Sequence, residues 1–348
     1  MTPVANPTQP PGEPAAAVTD PIEQAVLAIL TGTPSPQAAS QAGITPARLT
    51  AIARAYQHAG RAALAARTGP AGTWGQAALE FTDWDTAEHT AATALAPRLQ
   101  DPEVTAGWWF LRKHPCWRIR YQPAPATTLS TASEQVGRIL DDLTAAGLLR
   151  TWQPGIYEPE TLAFGGPAGI TIAHQLFCAD TRGVLTTASQ APAASKASRP
   201  PGRMELSVLL CATLMRGAGL DWFEQGDTWH RITSLRPLPP GTATHPHHHA
   251  ISVLLAADTR PASPLLASAG SAASAAPWIS GFRHAGQALG ATARDGQLQR
   301  GLRDILAHLI IFHWNRLGLT ATTQATLARA GQDAIMNTAS PPGTPGSD

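Results

Sequence analysis

The chain has 348 residues, enough for one large domain or two modest ones. Only 14% of the residues are charged, and 25 Lys+Arg against 24 Asp+Glu leave a formal net charge of +1. That balance excludes a generally basic nucleic-acid coat and a polybasic membrane binder, because both need an excess of positive charge. No uncharged apolar run approaches the roughly 20 residues of a membrane span. The Pro/Ala-rich start lacks the basic-then-apolar layout of a secretory signal. Three cysteines (Cys116, Cys178, Cys211), none in a C-x-x-C, point to neither a disulfide framework nor a thiolate zinc site. The expected location is a reducing compartment, the cytoplasm.

In chain order, residues 1–19 and 338–348 read as disordered Pro/Gly/Ala/Ser tails. Residues 20–67 read as a three-helix unit with a helix-turn-helix rhythm. Asp20 caps its first helix, Pro21 opens it, and Leu49, Ile52, Ala53 and Tyr56 give the last helix an apolar stripe. A Gly/Pro hinge at 69–72 leads into a main body over 73–337. There, 76–81 reads as a strand, 86–95 as a helix, and WWFLRKHPCWRIRY as two aromatic-rich strands joined at His114–Pro115. Thr131-x-x-Glu134 resembles a capping box before a helix stopped by Gly147. LLRTWQ reads as a strand, and helices are expected at 168–179, 204–217, 298–316 and 321–336. The stretch 186–202 reads as a linker and 237–249 as a Pro/His loop. Strands and helices in no strict βαβ alternation indicate an α+β fold.

Several segments carry residues suited to chemistry. In WRIRY the alternation puts Arg118 and Arg120 on one face, a guanidinium pair suited to a carboxylate or phosphate, or simply a solvated sheet face. Glu158 and Glu160 bracket Pro159 before a Gly165-Gly166-Pro167 turn. They suit acid–base work if one is desolvated, or they hold the two arginines in ion pairs. His313 lies on the stripe of Leu302, Leu306 and Leu309 and so faces the interior, as a core residue or as a proton carrier. LDWFEQGDTWHR (220–231) lines a pocket or is an ordinary polar helix end. HPHHH (245–249) lacks the i, i+4 spacing of a helical zinc pair, and no metal is expected there.

Taken together, the segments resemble a known family. WWFLRKHPCWRIRY is similar to the arginine-bearing strand pair of the lantibiotic dehydratase C-terminal domain, whose usual form ends H-L-R-L-R. AAGLLRTWQPGIYEPETLAFGGPAGITIAHQLFCADT resembles that domain's Y-E-P-E-x-x-R-Y-G-G segment and the helix ending F-x-x-D-S. MELSVLLCATLMRGAGLDWFEQGDTW and FHWNRLGL resemble its later helices and its H-x-N-R motif. The match runs in order from about Trp74 to Met336, and it looks most like the stand-alone thiopeptide-type bacteriocin biosynthesis proteins.

The resemblance implies a lyase-type maturation enzyme for a leader-bearing ribosomal peptide, with mixed or antiparallel sheets packed against helices. In full dehydratases this domain eliminates glutamate from glutamylated Ser/Thr. Related stand-alone proteins join two dehydroalanines by a formal [4+2] aza-cycloaddition and form a pyridine with loss of water and leader. Carried over by motif, Arg118 and Arg120 are expected as electrostatic stabilisers, His313 as proton carrier, and Glu158 and Glu160 as orienting acids. Tyr157, Asn315 and Arg316 are expected to bind substrate, with Ser280 as a further hydroxyl donor. Where eliminating members carry Arg before Tyr-Gly-Gly, this chain has Ala163 and then Phe164, which favours the cyclase. Neither chemistry requires a cofactor or metal. The expected partners are the precursor peptide and a companion dehydratase, with Leu49, Ile52 and Tyr56 as the docking stripe. A DNA-reading regulator is disfavoured, since only Arg48 and Arg54 supply cations on its would-be recognition helix. A non-catalytic scaffold is the third class.

Overall fold

The computed structural model describes residues 20–68, 74–189, 201–239 and 248–336. The two expected tails lie outside these residues, as do 190–200 of the expected linker and 240–247 of the Pro/His loop, including His245, Pro246 and His247. The chain divides into two units between Arg61 and Ala62.

In the first unit, Asp20 accepts a hydrogen bond from the Ile22 N–H at 2.8 Å and starts α1 (Pro21–Leu30). α2 (Ser35–Gln41) and α3 (Pro46–Thr68) follow. Ala25, Val26, Ala38, Ala39, Leu49 and Ala53 form a core of mostly small side chains. This corrects the expected docking stripe. Leu49 is completely buried, Ile52 is half-buried against the same core, and Tyr56 alone is well exposed.

In the second unit, β1 (Gly75–Phe81), β2 (Thr105–Lys113), β3 (Cys116–Pro123) and β4 (Leu149–Gly155) form one antiparallel sheet in the order β2-β3-β1-β4. Alternation sorts its side chains by face. Leu79, Phe110, Trp117, Ile119 and Tyr121 join a buried core to which α6 (Leu129–Ala145) adds Val136 and Leu140. Gln76, Ala78, Trp109, Leu111, Arg118 and Arg120 take the other face, with Arg120 opposite both Gln76 and Trp109. Thr128 caps α6 through the Thr131 N–H, so the expected Thr131–Glu134 box is one turn too late. Between β1 and β2 a helical stretch runs through α4 (Ala87–Thr90), a π-turn (Ala91–Leu95) and α5 (Ala96–Leu99).

Gly75 shows how tightly the sheet meets α6. A Cβ there would sit 2.3 Å from the Tyr121 ring, whose hydroxyl donates to Ser133 Oγ at 3.0 Å. Gly75→Ala is expected to cost about 1–3 kcal/mol of stability, read as a lower midpoint in thermal unfolding.

The β2 edge is closed by helices. The Phe110 N–H donates to Thr181 Oγ1 of α7 (Gly166–Ser189), and its carbonyl accepts from Arg316 Nε of α12 (Leu302–Leu317) at 3.0 Å. α7 is much longer than the expected 168–179 helix and takes in the first residues of the expected linker. Around these elements lie α8 (Arg203–Gly217), α9 (Trp222–Leu235), α10 (His248–Ala256), α11 (Ala276–Arg294) and α13 (Ala321–Met336). The 220–231 stretch proves to be a helix start, with Asp221 and Glu224 forming a reciprocal capping box and Asp227 pairing with Arg231. His248 and His249 begin α10. At the end of α12, Glu88 is gripped by Arg112 and Arg203. These two arginines also donate to the carbonyls of Arg316 (2.8 Å) and Leu317 (2.7 Å).

Candidate active site

The face of the sheet opposite α6 is where charge and aromatic surface meet. Arg120 is buried, with its guanidinium 4.6 Å from the Trp109 ring centre and 5.3 Å from that of Tyr157. Arg120 Nε donates to Gln76 Oε1 at 2.9 Å, and Gln76 Nε2 donates to the Ile156 carbonyl at 3.1 Å. Gln76 therefore ties the arginine strand to the loop that carries Tyr157. Arg120 Nη1 is buried with no hydrogen-bond partner among the described residues, which leaves one cationic donor free. Burial, above all, brings the Arg120 pKa down to about 10; nearby Tyr157 opposes this, while Arg118 and Arg316 add to it. The group stays charged at neutral pH.

Tyr157 Oη lies 2.8 Å from His174 Nε2. Burial raises the Tyr157 pKa well above its ordinary value, and burial together with the Arg120 charge lowers His174 to about 4. The phenol is therefore protonated and the imidazole neutral at pH 7. With both partners neutral, the phenol and the imidazole share one hydrogen bond in which either can be the donor. Trp74 packs at a tilt against His174 with ring centres 4.6 Å apart, and Trp109 packs edge-on to Tyr157 at 5.7 Å. The turn at Gly165 and Gly166, both with φ +89°, folds α7 back so that His174 reaches Tyr157.

Beside this cluster is a cavity of about 480 Å³ between α6 and the β1–β4 end of the sheet. Trp74, Gln76, Leu129, Val136, Trp152 and Tyr157 are among its walls. Trp74, Gln76 and Tyr157 thus belong to both cluster and cavity.

The other expected site residues fall into three groups. Arg118 is half-buried on the same face as Arg120 and forms no ion pair among the described residues. Glu158 and Glu160 are both exposed, and neither is ion-paired to the arginines among the described residues; the charge of Glu160 acts on Arg120, Tyr157 and His308. His313 and Arg316 correct the expectation, because both lie inside the protein. His313 Nδ1 donates to Asp180 Oδ1 at 2.8 Å, Arg316 pairs with Asp180 Oδ2, and Trp278 Nε1 donates to Asp180 at 2.9 Å. Burial alone would raise the Asp180 pKa, but His313 and Arg316 outweigh it and hold the carboxyl below the usual range. None of these side chains lines the cavity. Asn315 is likewise structural: its Oδ1 accepts from Gln324 Nε2 at 3.0 Å, tying α12 to α13. Ser280 accepts from its helix neighbour Arg283 at 2.9 Å and has no contact with the Arg120 cluster among the described residues.

His174, Gln76, Trp74 and Trp109 were missed by the sequence reading. His174 sits in the apolar run ITIAHQLF with no charged neighbour to mark it, and its partner is 17 residues away.

Residues 74–334 match the family model described as lantibiotic biosynthesis dehydratase C-term. The chain belongs to this family. Among solved structures, this member of the dehydratase C-terminal family is similar to the tRNA-dependent lantibiotic dehydratase MibB from Microbispora sp. 107891. The TM-score is 0.58 at 19% identity, over 77% of this chain and 28% of MibB. It is also similar to TsrL, with TM-score 0.50 and 17% identity over 75% of this chain and 95% of TsrL. TbtD, a pyridine synthase from thiomuracin biosynthesis, gives 0.41 and 14% over 76% and 98%. At such identities the likeness to MibB and TsrL shows a shared fold, and the family member described here spans a little over a quarter of MibB. No curated protein sequence matches the chain.

Proposed function

We propose that this chain modifies a ribosomally made precursor peptide, and that the Arg120–Tyr157–His174 cluster is its reaction centre. The observation that carries this reading is a neutral, hydrogen-bonded His174–Tyr157 pair beside a buried guanidinium with a free donor, with Tyr157 itself in the wall of a largely apolar cavity. Such a set moves a proton through the Tyr157 hydroxyl while Arg120 stabilises negative charge growing on a substrate oxygen.

The reaction we favour is pyridine formation on a dehydrated, leader-bearing precursor. One peptide amide shifts its proton from nitrogen to oxygen and becomes a 2-azadiene with the adjoining dehydroalanine. Two bonds form to a second dehydroalanine, after which water and then the leader carboxamide leave. The amide-to-iminol step needs a proton carrier and a cation at the oxygen, the roles proposed for Tyr157–His174 and Arg120. Ala163, an uncharged residue at the motif's arginine position, supports this choice. Glutamate elimination is the second reading, favoured by one observation: Arg300 donates to the Ala163 carbonyl at 3.0 Å and brings a guanidinium to that loop.

Incubation with a dehydrated, azole-bearing precursor, followed by mass spectrometry, tests the choice. Loss of water and leader is the expected result. Loss of glutamate from a glutamylated precursor would move the assignment to elimination, and no mass change with either substrate would overturn an enzymatic role.

The first unit, in this reading, docks the leader or a companion dehydratase rather than DNA. Arg48 and Arg54 alone would release few counterions, whereas a remote peptide site raises the effective concentration of the core at the reaction centre. Deleting residues 1–67 is expected to raise KM for the full precursor far more than for a leaderless core, measured by steady-state kinetics.

A further inference from the structure

The two edges of the sheet are treated differently. At β2, side chains of α7 and α12 occupy the backbone groups of Phe110. At β4, no backbone hydrogen bond closes the outer edge among the described residues, and Arg150, Thr151, Gln153, Pro154 and Gly155 are exposed. An unpaired strand edge is a template for another strand. Pro154 fixes which groups are on offer. A proline is tolerated within an edge strand where its nitrogen faces away from the ladder. By the two-residue alternation of antiparallel pairing, the Trp152 N–H and C=O then also point outward.

The same parity places the Trp152 and Pro154 side chains on the α6 side, where both line the 480 Å³ cavity. Trp152 packs close to Gly137, where an added Cβ would meet its ring at 3.3 Å, and its Nε1 donates to Asp141 at 2.9 Å. Ile156, at the cavity's rim, is 86% exposed, an unusual setting for a large aliphatic side chain. Free backbone groups, a neighbouring apolar slot and an exposed aliphatic rim are the parts used when an extended peptide adds to a sheet edge.

We propose that the open edge of β4 docks an extended segment of the peptide substrate as a fifth strand, with an apolar side chain of that segment seated in the slot between α6 and β4. This rests on the peptide-modifying role proposed above and names where the peptide lies. The occupant is a peptide of the substrate because β4 runs directly into Tyr157. Trp152 and Tyr157 are five residues apart, so at about 3.3 Å per extended residue the anchor sits about 16 Å along the chain from the reaction centre. An apolar anchor four to six residues from the reacting residue follows as the selectivity rule.

The probe is a random 12-residue peptide library displayed on phage and selected against the full chain. Enriched peptides are then resynthesised with an N-methyl group at each amide in turn. The expected result is loss of binding by tenfold or more at every second amide, with slowed hydrogen exchange at the Trp152 amide in the complex. Ile156→Asp, a surface change that leaves the core untouched, is expected to raise Kd about tenfold, and Trp152→Ala at least as much. Peptides indifferent to N-methylation, protection confined to residues outside 149–156, or a library that yields no binder would each overturn the proposal. Docking at β4 without turnover of either precursor would leave this proposal standing and remove the reaction assignment. Turnover without strand-type docking would do the reverse.

Discussion

Asp180→Asn is expected to destabilise the protein by about 3–5 kcal/mol in urea unfolding, the largest effect of any single change considered. Asp180 is fully buried and is the only counter-charge described for Arg316, which is itself completely enclosed and donates to the Phe110 backbone. The amide keeps a hydrogen bond for His313 and Trp278 but leaves the guanidinium without an anion in a region of low polarity. Replacing the pair together, Asp180→Leu with Arg316→Met, is expected to recover part of the loss, because a buried pair owes much of its apparent worth to the penalty of breaking it. If Asp180→Asn unfolds at the wild-type urea midpoint, the network is not what fixes α12 against β2.

Acid should weaken the fold in two stages. The folded-state His174 pKa of about 4 lies below its ordinary value near 6.5, so protonation opposes folding. Stability therefore declines as pH falls from about 6.5 towards 4, by an amount of order 3 kcal/mol. Asp180 and Glu88 are carboxyls with lowered folded-state values, and their contributions disappear only at more acidic pH, as those groups take up protons. His174→Gln is expected to flatten the first stage and leave the second, as measured by unfolding across pH.

The second large effect falls on rate. Arg120→Gln is expected to lower kcat about 10²–10³-fold with a smaller change in KM, since in the proposed reaction the free Nη1 donor acts on developing charge. Arg120→Lys is expected to lose most of this too. The ammonium cannot keep the Gln76 contact and present a second fixed donor at once. Tyr157→Phe removes the proposed proton carrier while keeping the ring packed on Trp109, and a loss of about 10²–10⁴ is expected. In the wild type the acid limb of kcat against pH should lie far below 6.5, because His174 remains neutral down to about pH 4. Full activity in both Arg120 variants would return the strand to a plain structural face.

Much of the fold was legible because its signals are local. The alternation in WRIRY assigned Arg118 and Arg120 to one face, and the α+β class followed from mixed strand and helix patterns. α11 escaped because it is alanine-rich and follows the irregular 257–272 stretch with no side-chain cap. The proposed site was legible in part. Arg120 and Tyr157 were named, but His313 drew attention as an inward histidine when its interior holds Asp180, a residue 133 positions earlier. His174 looks the same in sequence yet hydrogen-bonds Tyr157, a residue of the cavity wall. Only the packing of α7 on the sheet separates the two histidines, and neither periodicity nor composition encodes it.

Ionic strength offers a clean way to take this molecule apart. Glu88, held by Arg112 and Arg203 over the last carbonyls of α12, is mostly shielded from solvent, and Asp180 is wholly so. Dissolved ions screen such pairs poorly, whereas pairs such as Arg98–Asp142 and the half-buried Arg118 are open to them. Raising salt from 0.05 to 0.5 M, on the order of a threefold shorter screening length, should leave the seam between α12 and β2 intact. A fall in peptide affinity under those conditions then reports on charge near the bound peptide, not on loosening of the seam between α12 and β2.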